Sequence, residues 1–447
     1  DGTNINWNDY LFLRRESLLL WGIVAVIVVM LLIFLKGRMF ENVLMFISGC
    51  MTLMLLVTGV SIVVTNPPEK ESTQLYVTQK DEFTMSQKEN FVILVLDTFD
   101  SREFTELLSE HPEYRETFAD FTYFENMTAA YSCTKRSIPF ILGGDWYENQ
   151  GSFTEYMNGV YSGSPLFTAL KERGYLIDLY EDELYTQDEN ALSDFDNIII
   201  ANYYVNSWIR LAKQELKLVG FRYAPFDLKR FCMTKKSGFD EEILVDCGYK
   251  GFNSENYYFK GDLEDNEIVM DDTQKRFKFI HLVGAHTPFI YDSDCNIIDM
   301  KDGTYEQNAE ASITLAAVYI DALKKSGAYD DTALIIMADH GYNGDYTSEY
   351  EFMRQAALFL VKGRGETHDT MQTSQIPAAY EDLPGAYERL MDGEESNGIF
   401  DWQENDSRER RFLYYDFDKE DIMIEYIQTG HAQDMTTMVP TGREFNR

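Results

Sequence analysis

Two long apolar runs open the chain. Leu18 to Leu35 carries no charge over roughly 18 residues, and Val43 to Val64 none over roughly 22, each enough to cross a bilayer as a helix. Lys36, Arg38 and Glu41 separate them, and Asn66-Pro67-Pro68-Glu69-Lys70 ends the second. Adjacent charge-free runs around a short basic loop predict an N-terminal transmembrane helical hairpin. Lys36 and Arg38 place that loop on the cytoplasmic side, which puts residues 67 to 447 and 1 to 17 outside; Arg14 and Arg15 pull the other way. The chain starts at Asp1 on the outer side, so further membrane helices are expected ahead of it.

Residues 67 to 88 are polar without a period and read as a linker. The pattern then changes to short, continuous apolar runs: Asn90 to Leu96, Phe277 to Leu282, Thr332 to Met337 and Asn197 to Ala201. Such runs mark strands buried on both faces, as in the middle of a parallel sheet. Helical periodicity lies between them, at Glu103 to Leu108, Pro165 to Arg173 and Ala309 to Lys325. Alternating strands and helices predict an α/β fold with a mostly parallel central sheet flanked by helices. From about residue 386 the pattern breaks into short strands, 411 to 417 and 423 to 427, expected to form a small C-terminal sheet subdomain. The expected organisation is a transmembrane region over 1–66, a linker over 67–88, a catalytic domain over 89–385 and a C-terminal subdomain over 386–447.

Composition changes this picture little. The net charge of -36 argues against nucleic acid, whose phosphates it repels. Within that acidic chain, residues 202 to 232 form a basic, amphipathic patch, readable as a packed helix with a solvated basic face or as a membrane-surface segment. Five cysteines show no zinc-site spacing; Cys232 and Cys247 are left open between a disulfide and free thiols.

In a parallel sheet, ligands bind beyond the carboxyl ends of the strands. Asp97, His286 and Asp339-His340 all stand just past a predicted strand end. The segment Tyr131 to Gly144 adds three candidate nucleophiles, Ser132, Cys133 and Thr134, with Lys135 and Arg136 beside them as candidate phosphate-holding cations. Asp97, Thr134, Asp339 and His340 together make an oxygen-rich divalent metal site suited to Mn or Zn. A metal at a threonine hydroxyl lowers its pKa and makes it a usable nucleophile.

The runs from Asn90 to Thr98, Thr134-Lys135-Arg136-Ser137-Ile138-Pro139, His281-Leu282-Val283-Gly284-Ala285-His286-Thr287-Pro288-Phe289 and Ala338-Asp339-His340-Gly341 resemble the alkaline phosphatase/sulfatase superfamily. Within it they most resemble the membrane-anchored lipoteichoic acid synthases and phosphoethanolamine transferases. The resemblance covers residues 89 to 385 and the membrane lead-in. It implies Asp97 as first acidic metal ligand, Thr134 as nucleophile and Asp339 and His340 as the late metal pair. It implies His286 as the histidine that contacts substrate phosphate or protonates the leaving group, His281 as support behind it, and His368 as a further site histidine. A sulfatase would carry Pro at 136 and Arg at 138; Arg136 and Ile138 stand there. The second-metal motif Asp-x-x-x-His is missing around residues 281 to 292, so one bound metal is expected. The implied function moves a phosphoglycerol or phosphoethanolamine group from a phospholipid donor to an envelope glycan, glycolipid or water through a covalent threonine. The alternatives are a hydrolase of the same fold, phosphodiesterase or sulfatase, and a non-catalytic envelope binding protein.

Overall fold

A computed structural model describes residues 7–34, 37–65, 73–234, 237–240, 242–342, 354–416 and 422–446. Lys36 and Pro67 to Glu69, on which part of the hairpin and linker reading rests, lie outside the described residues. The chain divides into two compact units, Asp1–Gln74 with Ile200–Gly248, and Leu75–Ile199 with Tyr249–Arg447.

In the first unit, the helices Leu11–Phe34 and Arg38–Thr65 are long and apolar enough to cross a membrane. Neither buries its apolar window within the protein. Leu20, Ile33, Leu53 and Leu55 are all more than half exposed, the reverse of a core helix. The helix Trp208–Tyr223 follows, capped by the Ser207 hydroxyl on the Arg210 amide.

The second unit is built on a seven-stranded sheet: β1 (Asn90–Leu96), β2 (Thr122–Phe124), β3 (Tyr175–Tyr180), β4 (Lys275–Leu282), β5 (Thr332–Met337), β6 (Phe359–Lys362) and β7 (Gln372–Ser374). Their order is β7-β2-β6-β5-β1-β4-β3. The pairings β5–β1, β1–β4, β4–β3 and β7–β2 are parallel, and β6 pairs antiparallel with both its neighbours. This is the expected α/β fold with a mostly parallel sheet. Every residue of β1 and β5 is buried, which explains why their sequences are continuous apolar runs. The helix Tyr305–Ser326 covers the sheet, opened by a Thr304–Gln307 capping box and closed by Gly327 in the left-handed region.

Two expectations change. Asn197 to Ala201, read as a strand of the main sheet, falls largely in the strand Ile198–Val205, which lies outside that sheet and pairs antiparallel with Ile243–Asp246; alternate residues along it are exposed, as in a one-sided sheet. The stretch read as linker holds two short strands, Thr73–Val77 and Thr84–Ser86. The C-terminal sheet is present as three antiparallel strands, Arg410–Asp416, Ile422–Gln428 and Met438–Phe445. Its first strand exchanges backbone hydrogen bonds with the segment ahead of Thr134: Leu413 N to Ala130 O at 2.8 Å, and Ser132 N to Leu413 O at 3.2 Å.

Candidate active site

The parallel strands β1, β4 and β5 end side by side, and each delivers a polar residue at its carboxyl end. Asp97 follows β1, His281 is the last residue but one of β4, and Asp339-His340 follow β5. Asp97, Asp339 and His340 are buried, with one ligand atom of each within 4.8 Å of the others. The fourth group comes from a helix. Thr134 is the first residue of Thr134–Gly143, and its hydroxyl donates to Asp97 Oδ2 at 3.3 Å. Ser137, one turn on, donates to the Asp339 carbonyl at 2.5 Å and ties that helix to the end of β5.

The backbone around the cluster is held in costly conformations. Thr98 has φ 61°, in the left-handed region that costs a β-branched residue about 1–2 kcal/mol. That turn aims the Thr98 amide at Asp339 Oδ1 (3.0 Å) and lets its hydroxyl donate to Asp97 Oδ1 (2.6 Å). Gly284 has φ 58°, and a Cβ there would stand 2.4 Å from the Asp97 amide nitrogen. Only glycine lets the 283–286 loop lie against Asp97, where the Ala285 amide bonds the Asp97 carbonyl at 2.9 Å. The Asn256 side chain clamps Gly284 from the other side, with both bonds at 2.8 Å. Gly284→Ala is therefore expected to destabilise the unit by about 2–4 kcal/mol, read from a chemical denaturation midpoint. An unchanged midpoint would show that this close approach is not required.

The donor set fits a divalent metal. His340 Nδ1 lies 2.8 Å from the Gly341 carbonyl, which places the ring proton on Nδ1 and leaves a lone pair on Nε2. That nitrogen faces Asp339 Oδ2 at 3.3 Å and Asp97 Oδ1 at 4.0 Å. A lone pair turned on two carboxylates, one of whose oxygens (Asp339 Oδ2) accepts no hydrogen bond among the described residues, is an arrangement that a cation stabilises. Burial is the largest influence on Asp97 and raises its carboxyl. The hydrogen bond and the charge of the neighbouring His281 outweigh that and hold it well below the usual carboxylate range. Asp339 shifts the other way, raised by burial and by the charge of Asp97.

Among the three candidate nucleophiles, the surroundings differ. Ser132 Oγ accepts the Tyr415 amide at 2.8 Å and is fully buried. Burial pushes the Cys133 thiol up to about 12, away from the reactive thiolate. Thr134 alone of the three turns its hydroxyl to the carboxylate cluster.

His281 is drawn into the cluster, its Nε2 3.7 Å from Asp97 Oδ2. Its Nδ1 lies 3.0 Å from the buried carboxylate of Glu181. Burial disfavours charge on this imidazole, yet Glu181 and Asp97 together raise its pKa well above the ordinary value. Glu181 follows β3 as Asp97 follows β1, so the same strand-end rule would have singled it out; nothing else in its local sequence does. A folded-state pKa above the unfolded one means the His281 contribution to stability is full below about pH 6.5 and is lost as pH rises through the elevated value. Glu181→Gln is expected to lower the His281 midpoint in an NMR titration of chelator-treated protein. A midpoint that stays put would remove Glu181 as the source.

His286 is half-buried on the loop past β4, its Nδ1 2.5 Å from the Thr287 carbonyl. Lys135 is exposed, with Nζ over the Phe153 ring at 5.5 Å. Arg136 is buried between Phe153 and Tyr147, bonds Asn149 Oδ1 at 3.3 Å, and keeps Nε and Nη1 without partners among the described residues. His368 is not brought to the cluster. It follows β6, whose Lys362 end pairs with Leu334 near the start of β5, and its Nε2 bonds Glu366 at 2.8 Å. Asp339 lies past the other end of β5, so the chain direction carries His368 away from it.

No protein-family model and no curated protein matches the chain. Among solved structures, the chain is similar to a protein in the alkaline phosphatase superfamily from Vibrio parahaemolyticus (15% identity, 83% of this chain and 85% of that one, TM-score 0.44). It is similar to the PsFucS1 sulfatase from Pseudoalteromonas sp. (12%, 79% and 82%, TM-score 0.44). It is also similar to the lipoteichoic acid synthase LtaP from Listeria monocytogenes (12%, 72% and 76%, TM-score 0.40).

Proposed function

We propose that the chain is a membrane-anchored, extracytoplasmic, metal-dependent phosphotransferase. It moves a phosphoglycerol or phosphoethanolamine group from a phospholipid to an envelope glycan, a glycolipid or water. The observation that carries this reading is the Thr134 hydroxyl, at a helix N-terminus and 3.3 Å from Asp97, beside a buried Asp97–Asp339–His340 set. In this reading the helices Leu11–Phe34 and Arg38–Thr65 both cross the membrane, residues 89–385 carry the catalytic site, and residues 386–447 support it.

Asp97, Thr134, Asp339 and His340 would hold one Mn or Zn ion, which lowers the hydroxyl pKa and draws charge from a phosphoryl oxygen. Thr134 Oγ gives up its proton to solvent water and forms a bond to phosphorus as the bond from phosphorus to the diacylglycerol oxygen breaks. His286 gives that oxygen a proton. The positive end of the Thr134–Gly143 helix favours the charge that gathers on the phosphoryl oxygens. In the second half an acceptor hydroxyl loses its proton to His286 and bonds to phosphorus as the Thr134 Oγ–P bond breaks, and Oγ takes a proton back from water, a ping-pong scheme. Lys135 and Arg136 are the cations next to Thr134 that would hold the phosphate, and Glu181 orients His281 behind Asp97.

Mass spectrometry of the chain purified with its membranes tests this directly. A phosphoglycerol or phosphoethanolamine adduct on the peptide carrying Thr134 is expected. Turnover without an adduct on that peptide would sink the covalent scheme, and product formed equally with and without an acceptor polyol would favour the hydrolase reading.

A further inference from the structure

The first unit holds a cavity of 690 Å³ that the catalytic reading does not use. Its size falls within the roughly 300–1,000 Å³ of small-molecule sites. One wall is the start of the Leu11–Phe34 helix and the turn before it, with Trp7, Leu13 and Leu20; the other is the end of Trp208–Tyr223 and the next turn, with Phe221 and Phe226. The walls are fastened together. Trp7 packs on Phe221 and Phe226 with ring centroids 6.3 and 5.6 Å apart, the Phe226 amide donates to Ser17 Oγ at 2.9 Å, and Arg14 pairs with Asp227 at 3.1 Å.

The cavity straddles a polarity boundary. Glu16 lines the cavity, Arg14 and Arg15 directly precede it in the chain, and from Leu18 onward the same helix is charge-free. Leu13 to Leu20 spans roughly 10 Å along the axis, comparable to the depth of the headgroup and acyl boundary of a bilayer. Trp7, Tyr10 and Trp21 sit where interfacial aromatics collect. The Trp208–Tyr223 helix buries no residue and exposes Trp208 (73%), Ile209 (85%) and Leu216 (69%), which suits a helix lying in that interface.

Charge selects the occupant. Residues 208 to 230 carry six cations against Glu215 and Asp227, in a chain of net charge -36. Three charged residues line the cavity: Glu16 and Arg222, both exposed, and Lys229, which is used within the protein, bonding the Phe221 and Arg222 carbonyls at 2.7 and 3.1 Å; the cations of the Trp208–Tyr223 helix and the turn after it outnumber Glu16. We infer that this cavity binds one anionic phospholipid, acyl chain against Leu13, Leu20 and Phe226 and headgroup at Arg222. The inference rests on the Leu11–Phe34 helix spanning the membrane and not on the chemistry at Thr134.

Native mass spectrometry of the full chain in detergent tests it, in wild type and in Thr134→Ala, with dioleoyl phosphatidylserine or dioleoyl phosphatidylcholine added. Phosphatidylserine shares no headgroup with the proposed donors, so its binding is independent of turnover. One phosphatidylserine per chain is expected in both proteins. Arg222→Glu, at an exposed position, should weaken it about thirtyfold, from one lost attraction and one new repulsion at a membrane surface. Leu13→Trp, which fills the cavity, should weaken both lipids alike. Equal occupancy by the two lipids, adducts unchanged in both variants, or a lipid-free dimer of the chain would overturn the site. Recovery of the chain in the soluble fraction without detergent would instead overturn the membrane-spanning reading.

Discussion

Thr134→Ala is expected to lower turnover of a phospholipid donor by about 10⁴-fold or more, the scale on which removing a nucleophile acts. Two neighbours could in principle take over, and the structure argues against both. Ser132 is fully buried and accepts a strand amide, and the Cys133 thiol is pushed up to about 12. The substitution also removes one hydrogen bond to Asp97, worth about 1 kcal/mol, so the fold should persist. Thr134→Ser keeps an oxygen at the same place and is expected to recover activity to within about 10²-fold and to form the adduct. The decisive comparison is the pair, with circular dichroism of each. Full activity in the alanine variant, or none in a folded serine variant, would mean that the hydroxyl is not the reacting group.

Asp339→Asn should separate metal binding from folding, with opposite signs. In the metal-free protein the Asp339 and Asp97 carboxylates are buried together, and Asp339 is raised by burial first and by the charge of Asp97 second. An asparagine keeps an oxygen for the Thr98 and His340 amides and offers an NH to the His340 Nε2 lone pair, now 3.3 Å from Oδ2. The chelator-treated variant is therefore expected to be more stable than wild type by about 1–2 kcal/mol. With MnCl2 or ZnCl2 at a hundredfold excess over Kd, wild type should gain about 2.7 kcal/mol and the variant little. The two melting curves should cross on adding metal. Parallel shifts in both proteins, or none in wild type, would show that Asp339 is not a ligand.

The parts of this architecture that could be read from sequence are those whose environment is uniform. β1 and β5 are buried on both faces and written in apolar residues. β3 is not among the runs read as strands; it carries Asp178 in its middle, and what lets that charge sit there is in another strand: Lys278 of β4, 3.2 Å away and equally buried. A charge pair across two strands is invisible to a pattern taken along one. Asp97, His286 and Asp339-His340 were legible because strand ends in a parallel sheet face a common crevice. Glu181 obeys the same rule and was missed with its strand. Asn256, which fixes Gly284, sits at the start of a helix and acts through space alone, with no local signal.

The backbone bonds that join Leu413 to Ala130 and Ser132 have a practical meaning for how the chain can be cut. A folding unit is usually taken to end where its last covering helix ends, here near Leu383–Met391. A chain stopped there would keep the whole seven-stranded sheet and every group gathered around Asp97. It would leave the amide and carbonyl groups of the segment leading to Thr134 without their partners. The final strands are thus a splint on the loop that ends at Thr134. Their removal also takes Leu413 and Met423 out of the main core, so the shortened chain should lose stability as well as the aim of one hydroxyl.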